Sequence, residues 1–194
     1  MKNRTVPGCA VALKEWATVL EAMVRGEQLI LIRKGGLIEP GSGFQLLADT
    51  FVFYPTFEHQ AVNYLREPFR GYFEEAARRR PSEGQVRIEL AGQAVSSTEL
   101  RDPEVIERLG DVHVYNRDFV SQRLKWQPDQ PMTLVVVRAW RLAEPVLVEA
   151  NPRYAGCKSW VELDAVVPLD GARPVLDETA FHQRLQSVTA ALLA

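Results

Sequence analysis

The segment from Met132 to Leu142 constrains the fold most, because it is rich in β-branched side chains. It reads Met-Thr-Leu-Val-Val-Val-Arg-Ala-Trp-Arg-Leu. β-Branched side chains pack well on a pleated sheet and lose rotamer freedom in a helix, so this segment predicts a strand. Pro145–Glu149 follows closely and predicts a partner strand across a short turn. The chain is therefore expected to build its core around a sheet.

Five shorter segments also have the composition of strands. They are residues 29–32, 44–47, 50–54, 86–90 and 160–163. Residues 29–32 read Leu-Ile-Leu-Ile, which is apolar on both faces of a strand and indicates a central strand covered on both sides. Residues 86–90 alternate apolar and charged side chains, as a half-buried strand does, and residues 160–163 predict an edge strand.

Six segments predict helices from their apolar spacing or their terminal residues. They are residues 12–25, 57–66, 68–78, 102–110, 117–125 and 177–193. Gly26 is placed as the C-terminal stop of the first, and Asp102 and Asp177 can cap two others. Helices interspersed with short strands predict an α+β fold. We expect one mixed or mostly antiparallel sheet, open or closed into a barrel, with flanking helices.

Length and charge limit the classes of protein to consider. A chain of 194 residues with 46% hydrophobic residues can build one core, so a single domain over 1–194 is expected. A formal charge of −2 argues against a protein that coats nucleic acid through bulk charge, although a local basic patch stays open. Oligomeric state is not indicated by the sequence.

Targeting and cofactor signals are absent from the sequence. No run approaches the roughly 20 apolar residues of a membrane span, and the first ten residues lack the apolar segment of a signal peptide. We therefore expect a cytoplasmic protein without a membrane partner. Two cysteines and three scattered histidines form neither a disulfide framework nor a zinc-binding spacing, so no metal or cofactor is predicted.

The run Tyr54-Pro-Thr-Phe-Glu-His-Gln60 is the first candidate for a site, because polar side chains crowd the end of an apolar segment. Glu58 and His59 could act as a proton-transfer or ligand-orienting pair, with either as a general base. A purely structural interpretation is also open. Pro55 would then end the strand, and Thr56 would cap the next helix.

A second cluster, Arg33-Lys34-Gly35-Gly36, follows the predicted strand 29–32. Two cations beside glycines that let backbone N–H groups approach a ligand are typical of phosphate or carboxylate recognition. A hairpin turn is the alternative, with the Arg33 guanidinium paired to a carboxylate such as Glu15. That pair could orient the arginine towards a ligand or merely bridge two elements.

The third cluster is Gly156-Cys157-Lys158-Ser159-Trp160. A neighbouring lysine favours a thiolate, so Cys157 could be a nucleophile. The preferred interpretation is a packed thiol with Lys158 as a ligand contact. Trp160 could stack on a ring of the ligand, although a tryptophan at the start of a strand is usually part of the core.

Four ordered motifs together resemble a bacterial family called domain of unknown function 1802. They are Ala12-Leu-Lys-Glu-Trp-Ala17, Arg33-Lys-Gly-Gly-Leu37, Tyr54-Pro-Thr-Phe-Glu-His-Gln60 and Tyr154-Ala-Gly-Cys-Lys-Ser-Trp160. The resemblance spans most of the chain. It implies a shared fold and site without naming a substrate.

An opening helix, a Gly-x-Gln turn and a strand ending in arginine are similar to the entry of ASCH and other PUA-like domains. Those domains bind RNA or modified nucleosides and use a lysine and a strand glutamate in this region. Both are missing from Gly26–Arg33 here. The similarity is an analogy of arrangement.

The leading hypothesis is a binding domain for a phosphate-bearing ligand, either nucleic acid or a nucleotide. Arg33, Lys34 and Lys158 would contact anionic groups, while Glu58, His59 and Gln60 would read polar edges. A hydrolase that uses His59 or Glu58 as general base is the first alternative, and an adaptor without a ligand site is the second. A nuclease of the PD-(D/E)xK class is excluded, because no Asp/Glu-x-Lys triplet occurs. Convergence of the motifs in one pocket would favour a ligand site over an adaptor.

Overall fold

A seven-stranded sheet forms the centre of the computed structural model, which describes residues 8–34 and 44–193. The strands are β1 (Cys9–Trp16), β2 (Ile30–Arg33), β3 (Thr50–Thr56), β4 (Gln85–Leu100), β5 (Met132–Glu149), β6 (Trp160–Val167) and β7 (Arg173–Pro174). Their order is β2-β5-β4-β3-β1-β6, and β7 pairs with β5. Only β1 and β3 run parallel among the described pairings, and none joins β2 to β6. The predicted α+β class with a mostly antiparallel sheet is confirmed, and the sheet is open.

Five helices accompany the sheet in the described residues. They are α1 (Ala17–Val24), α2 (Arg70–Arg78), α3 (Pro103–Arg108), α4 (Arg117–Lys125) and α5 (Glu178–Leu193). The predicted caps are confirmed, since Asp102 accepts from the Glu104 N–H at 2.8 Å and Asp177 from the Ala180 N–H at 2.8 Å. No helix in these two ranges is both long and apolar enough to cross a membrane.

The first predicted helix, residues 12–25, is wrong in its first half. Residues 9–16 form β1, which pairs with β3 on one side and β6 on the other. Pairing with two neighbouring strands outweighs the local helical spacing. The helix begins only at Ala17, and its predicted stop is confirmed: Gly26 has a φ of +72° and its N–H donates to the Met23 carbonyl at 3.0 Å.

The predicted turn between Leu142 and Pro145 is wrong, because β5 continues through it as one strand of 18 residues. Its partner is β4, which is much longer than the predicted segment 86–90. Pro145 lies between the Ile88–Val146 and Leu90–Arg141 pairs, where the register shifts. A proline has no N–H to donate, and such an irregularity accommodates it.

Three other predicted elements differ from the structure. Residues 57–66 contain only a 3₁₀ turn, Val62–Tyr64, because the chain instead pairs Leu65 with Tyr115. Residues 44–47 form no strand. The Leu-Ile-Leu-Ile segment is buried on both faces as predicted, but its strand, β2, stands at the end of the strand order and pairs with β5 alone in the described part.

Apolar side chains pack on both faces of the sheet, and β3 shows the alternation. Phe51 and Phe53 belong to the main cluster, which includes Met23 of α1 and Phe119 of α4. Val52 and Tyr54 point to the opposite face and join a second cluster with Ile88. With both faces covered, polar side chains collect where the strands end.

Candidate functional site

A cavity of about 450 Å³ lies where the ends of β1, β2 and β3 meet α4 and the loop before β6. Eight residues predicted for the site line it: Glu15, Arg33, Lys34, Thr56, Glu58, His59, Lys158 and Ser159. The three candidate clusters thus meet in one place. Gly35 and Gly36 lie outside the described residues.

Glu15 and Arg33 form a mostly buried ion pair at one side of the cavity. The Glu15 carboxylate oxygen Oε2 lies 3.1 Å from Arg33 Nη1, as anticipated from the sequence. The same Nη1 donates to the Lys14 carbonyl, whereas the buried Nε of Arg33 has no acceptor in the described residues. Glu15 Oε1 also accepts from the Trp16 N–H at 2.8 Å. These contacts hold the guanidinium in one orientation.

Arg123 of α4 faces the same cavity and was missed in the sequence. Its side chain forms no hydrogen bond or ion pair with any residue that the structure describes. The guanidinium instead lies over aromatic rings, 5.7 Å from the centre of Phe119 and 5.6 Å from that of Trp126. Burial lowers the pKa of Arg123, and the like charge of Arg33 lowers it further. The i, i+4 and i, i+7 spacing from Phe119 to Arg123 and Trp126 is the signal that could have revealed this face.

Lys14 was also missed, because residues 12–25 were interpreted as a helix. It is 7% exposed, and its ammonium group donates to the carbonyls of Tyr154 and Gly156, both at 2.9 Å. Burial lowers the pKa of Lys14, while the charge of Glu58 partly opposes that shift. Lys14 therefore ties β1 to the loop before β6 and brings a buried positive charge to the cavity wall.

Lys34 lines the cavity, but its ammonium group caps a helix. It donates to the carbonyls of Arg123 at 2.9 Å and Leu124 at 3.1 Å, in the last turn of α4. A lysine is favourable at this end of a helix, where carbonyls lack intrahelical partners. Burial, followed by the charge of Arg123, lowers the pKa of Lys34. Its contribution to a ligand would be charge at close range.

The loop 156–159 supplies the outer wall of the cavity. Lys158 is exposed and donates to the Arg153 carbonyl at 3.1 Å, while the Ser159 carbonyl accepts from the Lys14 N–H at 2.8 Å. Cys157 is exposed, so the expectation of a packed thiol is wrong. The turn at Gly156, with a φ of +82°, projects the Cys157 side chain away from the core.

Glu58 and His59 lie exposed at the mouth of the cavity. The Glu58 N–H donates to the Thr56 hydroxyl at 3.3 Å, so Thr56 caps a turn and the predicted helix cap is wrong. His59 has a φ of +61°, which is uncommon outside glycine, and none of the described residues hydrogen-bonds its ring. A general base is usually oriented by a second group, and no described residue orients the His59 ring in this way. The hypothesis of a hydrolase with His59 or Glu58 as general base stays a prediction.

Gln60 acts in the fold, since its side-chain oxygen caps α1. The oxygen accepts from the Thr18 N–H at 3.3 Å and from the Thr18 hydroxyl at 3.1 Å. The N-terminal N–H groups of a helix lack intrahelical acceptors, and Trp16 at the N-cap position provides none through its side chain.

Replacing Gln60 by alanine should lower the free energy of unfolding by about 1 kcal/mol, the usual cost of losing such a cap. Chemical denaturation of the Gln60→Ala variant measures it. Gln60→Glu is the matched control, because it keeps an acceptor at the positive end of α1 and should retain most of the stability. Equal stability of Gln60→Ala and the parent protein would contradict the capping role.

Tyr54 and Trp160 do not line this cavity. The Trp160 ring packs edge-on against Phe51 at 5.2 Å, and its N–H donates to the Gln45 carbonyl at 2.9 Å. Tyr54 is buried on the other face of β3, where burial raises its pKa, and it lines a larger cavity of about 550 Å³. The larger cavity shares Lys14, Thr56 and Glu58 with the smaller one, but the predicted polar residues gather at the smaller.

Aromatic side chains form part of the cavity lining, here called the aromatic wall, and the Arg123 guanidinium lies over two of them. The rings of Trp16 and Tyr64 stack with centres 6.4 Å apart, and Phe119 meets Trp16 edge-on at 5.1 Å. Trp16, Tyr64 and Trp126 are only partly buried. Five cationic and two acidic residues of the described chain line the same space. Such a combination suits an anionic ligand that carries a planar ring.

Groups of three or more His, Cys, Asp or Glu side chains that could hold a metal ion do not occur in residues 8–34 and 44–193.

Comparisons with known proteins identify a family for this chain. A search of curated proteins finds no match. Among solved structures, the chain is similar to the crystal structure of a mutant ZmASCH protein from Zymomonas mobilis, with 13% identity over 94% of this chain and 99% of that one. The TM-score is 0.40. A protein-family profile described as "Domain of unknown function (DUF1802)" matches residues 12–187. This match covers most of the chain and includes the motifs that meet at the cavity. The chain belongs to this family.

Proposed function

We propose that the smaller cavity binds a phosphate-bearing ligand, either a nucleotide or nucleic acid. The observation that carries the proposal is the Arg123 guanidinium, which faces the cavity near Arg33 and forms no ion pair with any described residue, although Glu15 lies close enough to act on its charge. Bringing two like charges together in a partly buried place costs stability, and a bound anion offsets that cost. Guanidinium groups match the geometry of phosphate oxygens.

The aromatic wall supports a ligand that also carries a base. Trp16, Tyr64 and Trp126 each expose part of a ring to the cavity. Stacking a base on an aromatic side chain contributes about 1–3 kcal/mol and tolerates any base, since every base has a π-face. Glu58 and His59 at the mouth could then select among bases by hydrogen bonding. The convergence of the motifs supports a ligand site over the adaptor hypothesis.

The test is a titration of labelled nucleotides, RNA and DNA at several salt concentrations. Arg123→Ala should weaken binding by about 10- to 100-fold, the range of about 1.5–3 kcal/mol for a hydrogen bond to a charged group. The slope of log affinity against log salt should fall by about 1 for a nucleic-acid ligand.

Arg78→Ala is the matched control, because Arg78 lines neither cavity and its side chain is 71% exposed on α2. Its affinity and salt slope should equal those of the parent protein. Absence of binding by the parent protein, or equal losses in the two variants, would disprove the proposal.

A further inference from the structure

We infer that the cavity selects a terminal phosphate, so that its ligand is a free nucleotide or the phosphorylated end of a strand. This inference rests on the proposed function and specifies the ligand class of the same site. A phosphodiester within a strand carries one negative charge. A phosphomonoester carries −1.5 to −2 at neutral pH and presents three strong acceptor oxygens.

The charge of the cavity is the first argument. Five cationic side chains line the cavity together with only two described carboxylates, those of Glu15 and Glu58. The cations are Lys14, Arg33, Lys34, Arg123 and Lys158. Hydrogen bonds from Lys14 and Lys34 to carbonyls orient these ammonium groups without neutralising them. A single diester would leave most of the excess positive charge uncompensated, whereas a monoester or a diphosphate would offset most of it.

Burial makes this excess costly to the protein without a ligand. Burial lowers the pKa of Lys14, Lys34 and Arg123 alike, and the charge of Arg123 lowers the pKa of Lys34 further. The buried Arg33 Nε also lacks an acceptor in the described chain. Groups that are this poorly compensated in the free protein gain most from a multiply charged ligand.

The adjoining larger cavity does not continue the positive charge. It is lined by four cationic and four acidic residues of the described chain, of which Lys14 and Glu58 are shared with the smaller cavity. In that cavity the Arg79 guanidinium forms ion pairs with the carboxylates of Glu21 at 2.6 Å and Glu89 at 2.5 Å. A strand that passed through both cavities would find no excess charge for its next phosphate.

The charge of the whole protein argues in the same direction. With a formal charge of −2, the chain repels a long polyanion at distance, while a small ligand experiences mainly the field inside the cavity. A volume of about 450 Å³ is within the range of small-molecule sites. One nucleotide with its phosphates is a ligand of that class.

The experiment measures quenching of tryptophan fluorescence, since Trp16 and Trp126 line the cavity. The probes are adenosine, AMP and ADP, with single-stranded octamers that end in a 5′-phosphate, a 3′-phosphate or only hydroxyl groups. AMP should bind at least tenfold more tightly than adenosine, and ADP more tightly still. Binding of nucleotides alone identifies a free nucleotide as the ligand. A tenfold preference for a phosphorylated octamer adds the strand end.

Equal binding of the phosphorylated and hydroxyl octamers, lost in Arg123→Ala, would overturn the terminal-phosphate inference and leave the proposed function standing. Adenosine binding as tightly as AMP would overturn it as well. If no probe binds, both proposals fail. Arg123→Lys keeps the charge and removes the planar fork, so it should retain part of the preference that Arg123→Ala loses.

Discussion

Replacing Phe51 by alanine is expected to lower the free energy of unfolding by about 3–5 kcal/mol, the range for truncating a buried aromatic side chain. Phe51 is the second residue of β3 and is fully buried. Its ring meets Phe53 edge-on at 5.2 Å and Trp160 edge-on at 5.2 Å. The side chain therefore joins β3 to β6, the two strands on either side of β1.

The residues around Phe51 are closely packed, so they have little freedom to move into the space that its ring would leave. Gly92 on β4 lies opposite, and a Cβ atom there would come within 2.7 Å of the Phe51 ring. Rings this closely packed lose their contacts outright when a neighbour is removed. Denaturant titrations of Phe51→Ala measure the loss as a lower midpoint with an unchanged slope.

Phe57→Ala is the matched control, because Phe57 is only partly buried and the Arg80 guanidinium lies 4.9 Å from the centre of its ring. Truncating it should cost about 1 kcal/mol or less. If Phe51→Ala cost no more than Phe57→Ala, the Phe51 ring could not be part of a tightly packed core.

The sequence allowed the elements with strong local signals to be predicted. α4 has the predicted bounds, residues 117–125, because Asn116 caps it and its polar and apolar residues have helical spacing. β1 could not be predicted in this way. Its apolar residues also fit a helix, and only pairing with β3 and β6, which are distant in sequence, decides between the two.

The same distinction explains which parts of the site were found. The ion pair between Glu15 and Arg33 was anticipated as one alternative, because the two residues lie in successive predicted elements. Lys14 became recognisable only once its segment was known to be a strand, and Arg123 only once the end of α4 was found beside Lys34, which follows β2. The capping role of Gln60 was missed because its partner, Thr18, is 42 residues away in sequence.

Reversing the charge at Arg123 should have the largest effect on binding. Arg123→Glu removes one cation from the cavity and adds an anion where the ligand's phosphate would lie, so affinity should fall at least about 100-fold by the usual cost of like-charge contacts. The fluorescence titration with ADP measures it. An affinity within threefold of the parent protein would place the phosphate elsewhere.

The uncharged variant separates function from stability. Arg123→Met can still pack an apolar side chain on Phe119 and Trp126, and it removes a charge that burial and Arg33 both disfavour. We therefore expect the ligand-free variant to be more stable by about 1 kcal/mol, although it binds at least about tenfold more weakly. Denaturation without ligand and titration with ADP test the two halves. A buried charge that serves only ligand binding destabilises the protein when no ligand is bound. A variant that lost both stability and affinity would therefore show that Arg123 serves the fold.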